Sequence, residues 1–172
     1  MALYEIDGKR PVVGSGTWVA PSAEIIGDVE IGKNCYIGFG AIIRGDFGKI
    51  KIGDESLIEE SVVIHTAGPT SIGNKVIVGH MVMIHDATIH DEVLIGMKTM
   101  ICEYATIGMR AIVAEQSLVK KRSDVPPEKI VAGSPARVVG NVERRHLEKL
   151  SVGRYAYLDL INSYRSRFKQ VQ

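Results

Sequence analysis

Three of the chain's five histidines, His65, His80 and His85, fall inside one stretch, "VVIHTAGPTSIGNKVIVGHMVMIH" (62–85). Each interrupts an otherwise apolar run. Imidazoles either pack or hold something, and three nitrogen donors that leave a fourth position free form the donor set of a catalytic rather than a structural zinc site. Whether these three can converge depends on the elements that carry them.

Those elements are set by a repeat of six. Val19, Ile25, Ile31, Ile37 and Ile43 recur at that interval, and after "RGDFGKI" the series resumes as Ile52, Ile58 and Ile64. It breaks at "TAGPTS", continues as Ile72, Val78 and Ile84, and drops one residue. It then runs through Ile89, Ile95, Ile101, Ile107, Val113 and Val119. A small or apolar residue stands two positions before each aliphatic, and Gly often follows it. Six suits neither a 3.6-residue helix nor a plain hairpin sheet, and it is too short and regular for a sandwich. It suits short strands ended by tight corners where a small residue is tolerated. Three hexads close a coil of about 18 residues, and such coils stack as a solenoid.

The pattern resembles the hexapeptide-repeat left-handed parallel β-helix, and the resemblance implies an all-β solenoid of that kind with a C-terminal α-helix packed along it. The β-helix with its N-terminal cap and closing loop spans 1–141, and the helix, part of the same domain, spans 142–172. Pro126, Pro127 and Pro135 are expected to end the solenoid near 119–140. Leu147, Leu150, Leu158, Ile161, Tyr164 and Phe168 space as one helix face, with Gly153 expected to interrupt its N-terminal end.

The register then orients the histidines. The aliphatic points inward, so the next residue points outward. His65 follows Ile64 and His85 follows Ile84, third hexads of successive coils. Their backbones therefore stack about 4.8 Å apart on one outer face. His80, two residues past Val78, lies at the corner that opens this face. Five extended residues cover roughly 16 Å, so His80 does not meet the pair of its own chain, whereas a neighbouring chain could bring one. Cyclic trimers with head-to-tail seams close naturally. A solvated surface pair is the plain alternative; the outward register excludes a core role. His90 and His146 fall on other surfaces and read as structural.

The remaining numbers are permissive. The chain has 172 residues, with 21 Lys and Arg against 20 Asp and Glu, so no basic footprint marks a nucleic-acid or anionic-membrane partner. No run approaches the roughly 18 apolar residues of a transmembrane helix, and the N-terminus lacks a secretory apolar segment. Cys35 and Cys102 show no paired spacing. A cytoplasmic protein acting on a small molecule is the expectation.

"RGD" (Arg44–Asp46), "IEESVVIH" ending in His65, "GHMVMIH" with His80 and His85, "IGM" and "AGSPAR" together resemble the γ-class carbonic anhydrase family over nearly the whole chain. "RGDFG" and "VAGSPARVV" resemble particularly the branch encoded in phenylacetate and carnitine operons. The resemblance implies a homotrimer with a metal at each seam, two ligands (His65, His85) from one subunit and His80 from the next. The ion would be Zn²⁺, with Fe²⁺ or Co²⁺ also suited to imidazole. The implied reaction is reversible hydration of CO2 to bicarbonate by hydroxide generated at the metal. The family's Arg and Asp correspond to Arg44 and Asp46, and a guanidinium in that column can fork onto a carboxylate across the seam. Tyr157 matches a tyrosine that the C-terminal helix brings toward the metal, with Tyr155 as the substitute. Glu59 and Glu60 replace the family's Gln-Asp pair, and a carboxylate lacks the amide's donor. Phe47 stands where the archetype has a glutamate, the archetype's acidic loop is absent, and no proton shuttle is visible. Cys102, one coil past His85, reads as a small filler. The same site could serve a metal-dependent thioesterase or hydrolase acting on acyl-CoA. A metal-free hexapeptide acyltransferase, with a histidine as general base, and a non-catalytic metal carrier are the other readings.

Overall fold

The computed structural model describes residues 2–171, so the end residues of the two expected spans, 1 and 172, lie outside it. Nearly all strands pair in parallel with the strand one coil away, and together they form a left-handed β-solenoid of about seven turns followed by one helix. The six-residue series explains the core. Ile25, Ile37, Ile43, Ile58, Ile64, Ile84, Ile95 and Ile101 are all fully buried, and so are the small residues two positions earlier, such as Ala23, Cys35, Ala41 and Val62. Both inward positions of each strand thus fill the prism, and every outward residue falls into a column defined by strand pairing.

Pro126 and Pro127 do not stop the coil. Val125 and Val131 continue the buried series past them, and strand Lys129–Gly133 still pairs in parallel with Ile112–Val113. The reason lies in the hydrogen bonds between coils. The residue after each aliphatic in this column donates to the next coil, as in Gly73 N to Ile89 O, His90 N to Ile107 O and Gly108 N to Val125 O, each 2.8–3.0 Å. Pro126 stands in the last coil of that column, where no further acceptor follows and a missing N–H loses nothing. The chain then closes with an antiparallel pair, Lys129–Gly133 against Ala136–Asn141.

The glycines after the aliphatics also serve differently from the expectation. They do not turn the corners, since the left-handed positions belong to residues such as Glu55, Lys75, Glu92, Arg110 and Glu128, with φ between 55 and 58°. Each costs about 1–2 kcal/mol in that conformation, offset by a ladder of corner hydrogen bonds such as Glu55 N to Lys33 O and Lys75 N to Asp54 O, both 2.8 Å. Glycine is needed two residues earlier, where coils touch. A Cβ on Gly53 would sit 2.6 Å from the Gly73 carbonyl carbon and oxygen.

The helix, Arg144–Arg167, runs through Gly153 without a break. Its Leu150, Leu158, Ile161 and Tyr164 cover the outward column Tyr36, Leu57 and Ile77. Trp18, Phe39 and Phe168 add an aromatic lock at its C-terminal end, with Trp18 4.8 Å from Tyr164 and Phe39 5.6 Å from Phe168. Arg154, 9% exposed, reaches Glu55 at 3.3 Å. Gly153 is exposed, and a Cβ added there would meet nothing within 4 Å. Gly153→Ala is therefore expected to stabilise the fold by about 0.5–1 kcal/mol, read as a rise of roughly 1–4 °C in Tm.

Candidate metal centre

Strand pairing aligns Arg44 with His65 and His65 with His85, so the three stand in one outward column, as counting along the hexads predicts. His65 Nδ1 and His85 Nε2 face each other at 3.2 Å. On its other side His65 Nε2 lies 3.2 Å from Asp46 Oδ1. Arg44 binds the second oxygen of Asp46 at 2.7 Å. That pair forms within one chain. Strand Ile42–Ile52 stays extended past Arg44, so Asp46, two residues on, falls on the same face. Burial works against the Asp46 charge, but a backbone N–H, Arg44 and His65 outweigh it and hold its carboxyl below the usual range.

His80 sits apart, at the corner. Its Nε2 lies 3.1 Å from Glu59 Oε2 and its Nδ1 2.8 Å from Glu60 Oε2. The two acidic residues that depart from the family pattern thus surround this one imidazole. Among the described residues of a single chain, no group of three His, Cys, Asp or Glu side chains converges as a metal site.

The family described as "Bacterial transferase hexapeptide (six repeats)" matches residues 10–45. "Gamma carbonic anhydrase 2, mitochondrial" of Arabidopsis thaliana is 31% identical, with 99% of this chain and 66% of that protein aligned. "Probable carbonic anhydrase" of Methanocaldococcus jannaschii is 38% identical over 90% of this chain and 99% of its own length. The chain belongs to the γ-class carbonic anhydrase-like family. "Carnitine operon protein CaiE" of Escherichia coli is 34% identical over 94% of this chain and 83% of its own, in keeping with the operon branch. The chain spans just under two thirds of the Arabidopsis relatives, 66% and 62%. A crystal structure of a hexapeptide transferase family protein from Anaplasma phagocytophilum superposes with TM-score 0.91 at 31% identity, covering 95% of this chain and 98% of that one.

Members of such a family are expected to carry a metal, and the donor set here fits one. Two nitrogens bound to one tetrahedral zinc at about 2.0–2.1 Å stand roughly 3.3 Å apart, and the facing His65 and His85 nitrogens are 3.2 Å apart. His85 Nδ1 is buried and lies 3.2 Å from Asp86 Oδ2, off the line of a good hydrogen bond. Asp86 was no candidate from the sequence. It is 4% exposed, and its Oδ1 accepts from Thr66 Oγ1, Ala67 N and Gly68 N at 2.7–2.8 Å. Burial pushes its carboxyl up, but these donors hold it below the usual range. One side chain thereby anchors the "TAGPTS" loop beneath the ring of His85.

Glu59 faces out from the prism, as expected, yet the C-terminal helix covers it to 8% exposure. Burial raises its pKa despite His80 nearby, and Tyr157 hydrogen-bonds to it. Tyr157 therefore reaches Glu59 rather than the paired histidines. Burial first, then Glu59 and Glu60, push the Tyr157 hydroxyl well above its ordinary pKa, so it stays a donor. Tyr155 is exposed under the Arg154 guanidinium, 5.4 Å from its ring centroid, and faces away. Tyr36, also unforeseen, donates to Glu60 Oε1 at 2.6 Å. Its only sequence signal is a hydroxyl-bearing ring in a column where the next coils carry Leu57 and Ile77. Cys102 is half-buried and free, and burial raises its pKa. His146 is structural, as expected: its Nδ1 accepts the Glu143 N–H at 2.9 Å at the helix start.

Proposed function

We propose that this protein is a metal-dependent carbonic anhydrase-like enzyme that interconverts CO2 and bicarbonate at the seams of a homotrimer. His65 and His85 of one copy and His80 of the next would hold Zn²⁺, or Fe²⁺ or Co²⁺ in its place. The carrying observation is the outward His65–His85 pair, whose facing nitrogens stand 3.2 Å apart while the third histidine of the stretch points elsewhere on its own chain. A zinc ion held by three imidazoles lowers the pKa of water from about 15.7 to about 7, which makes hydroxide available at neutral pH.

The chain's own residues prepare that position. Asp46 holds His65 Nε2, which turns Nδ1 toward His85, and Arg44 offsets the carboxylate charge. The histidine face carries a column of partly exposed apolar residues, Ile42, Met83 and Met100, and Met81 and Met97 stand exposed along the corner of His80. Apolar surface of this kind favours burial against a second copy, and a corner set against a face repeats around a threefold ring. Among the described residues no helix is long and apolar enough to cross a membrane.

Glu59 replaces the family's amide with an anion that offers no donor. Glu59→Gln removes a negative charge beside the third ligand, which lowers the pKa of water at the site, and supplies an N–H. The expected result is faster CO2 hydration at pH 7 by stopped flow, up to about tenfold for a shift of roughly one unit; an unchanged or slower rate would speak against this role. For the enzyme itself, hydration by metal-loaded protein no faster than buffer removes the activity.

A second reading, hydrolysis of an acyl thioester at the same site, is favoured by one feature. A cleft of about 460 Å³, walled by Leu57, Ile77, Leu94 and Ile112 against Leu150, adjoins Glu59 and Tyr157. CO2 leaves such a cleft almost empty. Turnover of acyl-CoA esters without CO2 hydration would select this reading. Turnover that survives a chelator would instead select transfer with a histidine as general base.

A further inference from the structure

We infer that Tyr36 is a positioning residue for the third metal ligand: its hydroxyl fixes Glu60, and Glu60 fixes the ring plane and tautomer of His80. This rests on the reading of His80 as a ligand. The Tyr36 ring has one place to be. It is 1% exposed, stacked on Trp18 at 5.2 Å and met edge-on by Tyr157 at 4.9 Å. Packing alone would be served by phenylalanine, but a buried hydroxyl needs a partner. That partner is Glu60 Oε1, at 2.6 Å.

The other oxygen, Glu60 Oε2, lies 2.8 Å from His80 Nδ1. The two oxygens of one carboxylate are thus divided between a rigid donor on one side and the imidazole on the other. The corner backbone is already held by rungs to both neighbouring coils, Met81 N to Glu60 O and Lys98 N to His80 O, each 2.9 Å. Only the side-chain torsions of His80 remain to be set, and the Tyr36–Glu60 arm sets them.

A second carboxylate, Glu59, contacts the opposite nitrogen, Nε2. The two arms are not equivalent. If Nδ1–H donates to Glu60, the Nε2 lone pair is the one available to a cation, as in other carboxylate–histidine–metal arrangements. Glu59 occupies the nitrogen that must be free, and Glu60 the nitrogen that must stay protonated. The orienting role therefore belongs to Glu60 and, behind it, to Tyr36.

The test uses the full chain. Tyr36→Phe keeps both ring contacts and removes the hydroxyl. Zn²⁺ and Co²⁺ dissociation constants are measured by chelator competition, and the His80 tautomer is read from imidazole ¹⁵N shifts of the metal-free protein. Loss of an outer partner typically costs about 10–100-fold in metal affinity. Glu60→Gln is expected in that range, and Tyr36→Phe, one bond further out, at about the lower limit of it. The double variant should lose no more than Glu60→Gln alone, and the His80 ¹⁵N shifts should move in Tyr36→Phe. A Tyr36→Phe protein with wild-type affinity within twofold and unmoved shifts overturns the inference, even if its Tm falls, because a purely structural role predicts that pattern. Wild-type affinity insensitive to His80→Ala overturns the ligand reading itself, and the inference with it.

Discussion

His80→Ala is expected to weaken metal binding by at least about 100-fold and to bring CO2 hydration down to the buffer rate. Losing only an outer partner already costs about 10–100-fold, and His80 is proposed as one of three nitrogens in direct contact. Thermal stability gives a second readout. A ligand at 1,000 times its Kd stabilises the folded state by about 4.1 kcal/mol, and a 100-fold weaker Kd leaves roughly 1.4 kcal/mol. At about 2–4 °C per kcal/mol for a chain of this size, the variant forfeits roughly 5–11 °C of the metal-induced rise in Tm. The same pair measured with chelator present gives the metal-independent cost of losing the ring's contacts with Glu59 and Glu60, and that difference is subtracted. A variant that keeps stoichiometric metal and full activity would leave the proposed centre without its third arm.

Gly53→Val is expected to damage the fold strongly. The position is not one of left-handed backbone; the obstacle is the coil beneath. A Cβ there would lie 2.6 Å from the Gly73 carbonyl carbon and oxygen and 2.6 Å from Asn74 Oδ1. The coils cannot part locally, because Gly53 N is bonded to Ile72 O at 2.8 Å and Asp54 N to Asn74 Oδ1 at 2.9 Å. Overpacking of this kind costs about 3 kcal/mol, or roughly 6–12 °C in Tm. Gly53 lies in a column away from His65, His80 and His85, so denaturation in chelator isolates the effect. A Tm within 2 °C of wild type would show that the coil spacing yields.

The hexad series was legible because an inward residue recurs every six positions regardless of what surrounds it. The same counting set Arg44, His65 and His85 in one column, since strand register is a matter of residue number. The prolines misled for a physical reason. Proline harms a strand only where its N–H would have met an acceptor, and whether a further coil follows Pro126 is not written locally. Gly153 misled likewise. Its helix is held by contacts with Tyr36, Leu57 and Ile77, far away in the chain, and such packing overrides a local propensity of about 1 kcal/mol.

What the amino-acid sequence determined by itself is periodic: the prism, the coil interval, the outward histidine column and the separate corner of His80. What only the tertiary structure decided is how those imidazoles are held. Tyr36 meets Glu60 across 24 positions and Asp86 takes the loop at Thr66 across 20, while the C-terminal helix covers Glu59 from beyond the end of the solenoid. A repeat specifies which way a side chain points. Its partner depends on what the stacked coils and the returning helix bring within about 3 Å, and no periodicity in the chain encodes that distance.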